Sequence, residues 1–233
     1  MKNSLRVISL LSIVAQTAGA VSVTVSGTSD PWLSGMPDGS TASIYDSAPA
    51  QSPVQVAGLS VTGGNIYTFQ SLGQVSNGPG TPVDGPDGGV LGSQFGATTH
   101  WVDWFVNGPQ NGIGDITVPW NSVIGVFLGP GQPDLNTPPG ALDFSTQASL
   151  DYLTLSPLLQ QPFFIGDGLT SSGVLQQVIA PSGATRLFLG TMDSYQWGDN
   201  TGSFQVTITL VPEPSAVVLS LLSLAALIRR IRS

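Results

Sequence analysis

Ser203-Phe-Gln-Val-Thr-Ile-Thr-Leu210 alternates polar and apolar residues without a break. Successive side chains of a strand point to opposite faces, so this stretch reads as a strand with one buried face; helical spacing would scatter the same residues around a cylinder. Outward from it, alternating or apolar runs recur at Thr185–Gly190, Gly173–Ile179, Ser122–Leu128, Trp101–Val106, Asn65–Gln70, Val54–Val61 and Val21–Ser26. Gly63-Gly64, just before Asn65, is a hairpin turn signal. Loops dense in Gly, Pro and Asp separate the runs, as at 77–89 and 129–134. The one helix candidate, Thr146–Leu159, is interrupted by Ser156-Pro157, which predicts a short helix at most. No repeat of fixed period is present. The expectation is an all-β fold, a jelly-roll β-sandwich of eight or nine strands.

The two ends differ from everything between them. Lys2 and Arg6 precede an apolar run, Val7–Ala15, too short to span a bilayer, and small residues Ala18 and Ala20 follow at the spacing a signal peptidase cuts. Residues 1–20 therefore read as a signal peptide cleaved after Ala20. At the other end, Pro212-Glu213-Pro214 precedes an apolar run, Ala216–Ile228, and then Arg229-Arg-Ile-Arg232. Prolines end the preceding strand, and the arginines hold the chain end on the cytoplasmic side. The three parts in this order resemble the PEP-CTERM sorting signal. That resemblance implies a hydrophobic sorting helix over 211–233, a membrane-anchored intermediate, and processing by an exosortase for delivery to the cell surface or extracellular matrix. The domain between, 21–210, is the expected sandwich.

Charge narrows the function. Between residues 21 and 211 stand thirteen aspartates and one basic residue, Arg186, a formal charge of −12. Such a surface repels phosphate backbones and excludes nucleic acid as a partner. Aspartate oxygens are instead hard ligands suited to calcium, although most aspartates in Gly- and Pro-rich loops simply make turns. With no cysteine and His100 as the single histidine, a cysteine nucleophile is ruled out and a His/Cys zinc site lacks ligands. No Gly-x-Ser-x-Gly elbow is present, and no pair of aspartates is marked out for glycoside hydrolysis. A hydrolase is the weakest of the functional classes, and the chain reads as a non-enzyme.

One segment stands out. A strand ends at Asp193, a short loop follows, and Asp199-Asn200 precedes Gly202-Ser-Phe and the next strand. The segment is similar to the calcium-dependent galactose-binding lectins of the LecA (PA-IL-like) family, which are small jelly-roll sandwiches. The similarity is good over 178–210, weak over 60–95 and absent over 110–170. It implies that calcium is held by Asp193, Asp199 and Asn200, by a loop carbonyl at Gln196, and by a backbone group in a turn that Asn77-Gly78-Pro79 resembles. The sugar would complete the coordination, which makes Asp193, Asp199 and Asn200 carbohydrate-binding residues too. The family's His-Pro-Asp-Gln stretch falls on Gly85-Pro-Asp87-Gly88 and leaves Asp87 as a further carbohydrate-binding candidate. Both flanking side chains are lost to glycine, so a galactose preference is not implied. On turn chemistry alone the same loop reads as a metal-free, hydrogen-bonded Asx turn.

The expected function is a surface carbohydrate-binding module with a glycan or exopolysaccharide partner. The alternative is a structural matrix protein of exopolysaccharide or biofilm that has no specific ligand site. The sorting tail is directly testable. Replacing Pro212, Glu213 and Pro214 by alanine is expected to leave export intact and to trap an unprocessed, membrane-bound form, seen by fractionation and immunoblot. Maturation like wild type would reduce the tail to an anchor.

Overall fold

The computed structural model describes residues 19–43, 45–89, 97–99, 109–193 and 196–212. Ala18, His100, the Trp101–Val106 run, Glu213, Pro214 and the tail beyond them lie outside these. Gly19–Leu210 form one compact unit. Its strands in chain order are β1 (Ala20–Ser26), β2 (Thr41–Ala42), β3 (Asp46–Ser47), β4 (Val54–Gln55), β5 (Ile66–Ser76), β6 (Ala97–Thr99) and β7 (Ile116–Pro119). They continue as β8 (Val123–Leu128), β9 (Leu142–Asp143), β10 (Thr154–Leu155), β11 (Phe163–Phe164), β12 (Gln177–Ile179), β13 (Arg186–Thr191) and β14 (Thr201–Val211). A single turn of α-helix, α1 (Gln147–Leu150), is capped by Thr146, which accepts from Ser149 N while Ser149 Oγ accepts from Thr146 N. Among the described residues the fold is mainly β, with α-helix confined to the place and the brevity expected. Among the described residues no helix is long and apolar enough to cross a membrane.

Alternation became buried alternation. Along β14, Phe204, Val206, Ile208 and Leu210 are buried, and β1 pairs with it antiparallel from Ala20↔Thr209 to Ser26↔Ser203. These two strands open a five-stranded sheet of order β1-β14-β5-β12-β10, in which β5 and β12 pair antiparallel and β10 and β12 parallel. A four-stranded sheet, β11-β8-β13-β4, packs against it. Aromatic rings join the two across the core, Tyr67 to Phe127 at 6.1 Å and Phe69 to Phe163 at 6.3 Å between centroids. Phe127 and Phe163 stack on adjacent strands at 5.3 Å. Gly125 makes room for this: a methyl there would lie 2.5 Å from the Phe163 ring.

The expected sandwich has a further layer. The opposite face of the four-stranded sheet carries Ile124, Val126, Leu128, Phe164 and Phe188, and it is covered by a second core that includes Trp32, Ile116, Val118, Phe144 and Trp197. That cover comes from the 28–48 region and from a small sheet of order β6-β7-β9 with its neighbouring loops. All six residues of β8 are therefore buried. Its unbroken apolar sequence fits a strand with two dry faces better than a half-exposed one.

Several local expectations need correction. Of Val54–Val61 only Val54–Gln55 forms a strand, and of Gly173–Ile179 only Gln177–Ile179, with Leu175 making an isolated bridge to Leu169. Gly64 has a positive φ of 88°, as a turn glycine should. The turn is not a hairpin, because β4 belongs to the four-stranded sheet and β5 to the five-stranded one. The chain crosses between layers there.

Phe127 is the test of the shared core. Phe127→Ala is expected to destabilise the domain by about 3–5 kcal/mol, the usual cost of a large buried-ring deletion. Leu72→Ala, at a side chain 75% exposed, should change stability by no more than about 0.5 kcal/mol. Denaturant unfolding of both variants checks the contrast.

Candidate functional site

The loop between β13 and β14 is fixed by two buried tryptophans and two polar side chains from distant sequence. Trp197 is fully buried, donates from Nε1 to Thr191 O at 2.8 Å, and packs against Trp32 at 5.6 Å. Trp32 belongs to a 3-10 turn, 31–33, that Asp30 caps by accepting from Trp32 N at 2.8 Å. A second 3-10 turn, 197–199, is held by Asp46 of β3. Its Oδ2 accepts from Trp197 N at 3.0 Å and its Oδ1 from Gly198 N at 2.9 Å. The carboxylate thus takes up both amides at the start of that turn.

Asn200 ties three segments together. Its Oδ1 accepts from Gly78 N at 2.8 Å and its Nδ2 donates to Gly27 O at 3.1 Å. Thr201 Oγ1 donates to Gly80 O at 2.8 Å, and Ser76 Oγ lies 2.8 Å from the same hydroxyl. The Asn77-Gly78-Pro79 turn is therefore seated beside Asp199-Asn200. A methyl on Gly78 would lie 4.0 Å from Asp199 Oδ2. Asp193 is buried at 4% exposure, Asp199 is half-buried, and Gln196 is half-buried and makes no side-chain capping bond.

The structure thus gathers Asn77, Gln196, Asp199 and Asn200 around one turn, with Asp193 entering the same loop. It also adds two carboxylates that sequence reasoning missed. Asp30, fully buried, lies within electrostatic range of Asp46 and Asp193, and its Oδ2 has no hydrogen-bond partner. Asp46 in turn feels Asp193 and Asp199. Asp30 was findable, since Asp followed by Pro is a turn-start signature. Asp46 was not: it reaches Trp197 from 151 residues away.

The one basic side chain among the described residues lies away from this group. Arg186, the sole basic residue of 21–211, donates to the Gly129 and Gly131 carbonyls at the opposite end of β13. Burial first, then the charge of Asp46, raises the Asp30 carboxyl well above the ordinary range. Burial pushes Asp46 up to about 6, with Asp193 and Asp199 adding to it, although the amides of Trp197 and Gly198 pull the other way. In charge and donor type the group fits a hard divalent cation: every donor is oxygen, and one buried carboxylate oxygen is orphaned. It is not a closed cage. Among the described residues no three His, Cys, Asp or Glu side chains converge to hold a metal, and the Asn200 amide is already bonded to backbone.

Asp87 lies elsewhere. Its Oδ1 accepts from Asp167 N at 2.9 Å, and it lines a cleft of about 740 Å³ with Asp151, Asp167, Leu150 and Phe164. None of Asn77, Asp193, Gln196, Asp199 or Asn200 lines that cleft. The structure does not join the two sets of carbohydrate candidates.

The carboxylate group has a pH signature. A folded-state acid raised to about 6 binds its proton more tightly than the unfolded chain does near 3.9, so its stabilisation is complete below pH 4 and is lost as pH rises through 6. In chelator, the domain is expected to be more stable at pH 5 than at pH 7.5, by on the order of 1 kcal/mol from Asp46, with Asp30 acting in the same direction. Asp46→Asn should shrink that difference. Thermal melts at the two pH values decide it, and a melting temperature that rises from pH 5 to 7.5 would contradict the assignment.

No family model and no curated protein sequence matches the chain. Among solved structures it is similar to one described as the EclA N-terminal domain, a PllA-like lectin, at 14% identity and a TM-score of 0.37, covering 82% of this chain and 95% of that one.

Proposed function

We propose that this chain is an exported surface protein whose β domain binds glycans through a calcium ion held at the Asp193–Asn200 loop. The observation that carries the reading is the set of buried or half-buried carboxylates, Asp30, Asp46, Asp193 and Asp199, whose oxygens are gathered at one loop and whose charges raise one another. The LecA-like motif read from the sequence falls within this group, and the Asn77-Gly78-Pro79 turn is tied to it by the Gly78 N–H, which donates to Asn200 Oδ1. Asp193 and Asp199 would hold the ion together with Asn200 Oδ1 and the carbonyls of Gln196 and Asn77. Bound calcium supplies open coordination positions that sugar hydroxyls fill. Asp46 acts behind these ligands by fixing the turn that carries Asp199. A jelly-roll course for the strands, export through the signal peptide, and exosortase sorting belong to the same proposal and rest on the sequence signals.

A second reading has its own support. Asn200 bonds to Gly78 and Gly27, and Asp46 bonds to Trp197 and Gly198, so both side chains have a purely structural use. This favours a matrix protein whose loop is a metal-free brace.

Melting separates the two. Calcium at a hundredfold excess over its dissociation constant should stabilise the domain by about 2.7 kcal/mol, because it binds the folded loop and not the unfolded chain. Asp193→Ala should abolish that gain. Asp134→Ala, in the exposed 133–135 turn, should keep it. Wild-type melting that is identical in chelator and in several-millimolar calcium would leave the loop as a brace only.

A further inference from the structure

We infer that the cleft between Asp87 and Asp167 is a second glycan site, independent of calcium and selective for neutral, polyhydroxylated ligands. Its volume, about 740 Å³, falls in the range of small-molecule sites. Leu150, Phe164 and Leu169 provide an apolar surface, and Asp87, Asp151 and Asp167 provide acceptors. This mixture suits a sugar ring, which offers a face of C–H groups and an edge of hydroxyl donors.

The acceptors are held in place before any ligand arrives. Asp87 Oδ1 accepts from Asp167 N at 2.9 Å, and Asp167 Oδ1 accepts from Leu169 N at 2.7 Å. Asp151 is held at both oxygens by Ser171, from N at 2.7 Å and from Oγ at 2.6 Å. Gly166, at φ 59°, lets the backbone run this close to Asp87, since a methyl there would collide with Asp87 Oδ1. The second oxygens, Asp87 Oδ2 and Asp167 Oδ2, accept no hydrogen bond from the described residues. Two fixed carboxylates, each with one oxygen to spare, form a hydroxyl-reading pair whose ordering cost is already met by the fold.

Charge and spacing narrow the ligand. Among the described residues no cationic side chain lines the cleft, so sulfated and uronic-acid chains are repelled. The carboxylates do not converge as a metal cage would require, so the pair reads hydroxyls directly. Burial, and then the charges of Asp167 and Asp151, raise the Asp87 carboxyl. Hydroxyl donors from a ligand would relieve that strain on the ionised form.

The test uses the full-length chain in chelator, which disables any calcium-held site. Probes are immobilised galactan, mannan and dextran as neutral polymers, with alginate and heparin as anionic ones. At least one neutral polymer should bind in chelator and neither anionic one should. Asp87→Asn and Asp167→Asn keep an acceptor for the structural amide and turn the other atom into a donor; each should weaken binding at least tenfold without lowering the melting temperature by more than a few degrees. Asp134→Ala should bind like wild type. Binding that appears only with calcium would overturn the cleft site and leave the loop proposal standing. Binding in chelator that either cleft variant leaves unchanged, or retention on alginate, would overturn it as well. Chelator-resistant binding lost in both variants would establish the cleft whatever becomes of calcium.

Discussion

Strand β8 has no wet side, and the arrangement of the rest follows from that. Its odd-numbered residues meet the five-stranded sheet while Ile124, Val126 and Leu128 meet the second core. An inner sheet buried on both faces can place polar groups only where its strands end. At the Val123 end of β8 several chain segments converge on backbone hydrogen bonds: Val123 N donates to Pro86 O, Gly166 N to Val123 O, and Met192 N to Ser122 O. The Asp193 loop, the Asp167 loop and the Asp87 loop therefore leave the same rim of the same rigid sheet. Their carboxylates are displayed by an apolar scaffold that cannot shift to accommodate them.

The electrostatic character follows from the same division of labour. Among the described residues the single arginine is engaged at backbone carbonyls at the start of β13. Aspartates are stabilised by backbone amides instead: Asp46 by Trp197 and Gly198, Asp167 by Leu169, Asp151 by Ser171. Amides hold a carboxylate in position without cancelling its charge. A domain built this way keeps a strongly negative field at its loops, which suits cations and neutral hydroxylated ligands and turns away polyanions.

What was legible in the sequence was whatever depends on neighbours along the chain. Alternating runs located β1 and β14 closely and apolar runs located β8 and β13, and Ser156-Pro157 rightly limited the helix. The LecA-like motif led to the Asp199-Asn200 loop and to the Asn77 turn, which do meet. The rest depends on contacts distant in sequence. Two-residue strands such as β4 and β11 are too short to show a period and exist because a partner strand offers open backbone groups. The second core was illegible because the residues covering Ile124 and Phe188 come from irregular segments, where burial leaves no regular pattern. Asp46 carries no local mark at all, and Asp87 lines a cleft that includes none of the Asp193-loop residues, a separation that only contacts distant in sequence define.

The pairing of β1 with β14 has a kinetic side. The first strand of the domain, from Ala20, finds its register on the last, at Thr209, so nearly the whole domain must be available before that sheet can close. Asp46 and Trp197 impose the same wait on the loop. Contacts of such long sequence separation make folding slow, because chain-closure entropy is lost before the contacts that compensate for it can form. Under the proposed export, such a delay would keep the N-terminal strand from locking into a compact form before the C-terminal strand is available to pair with it.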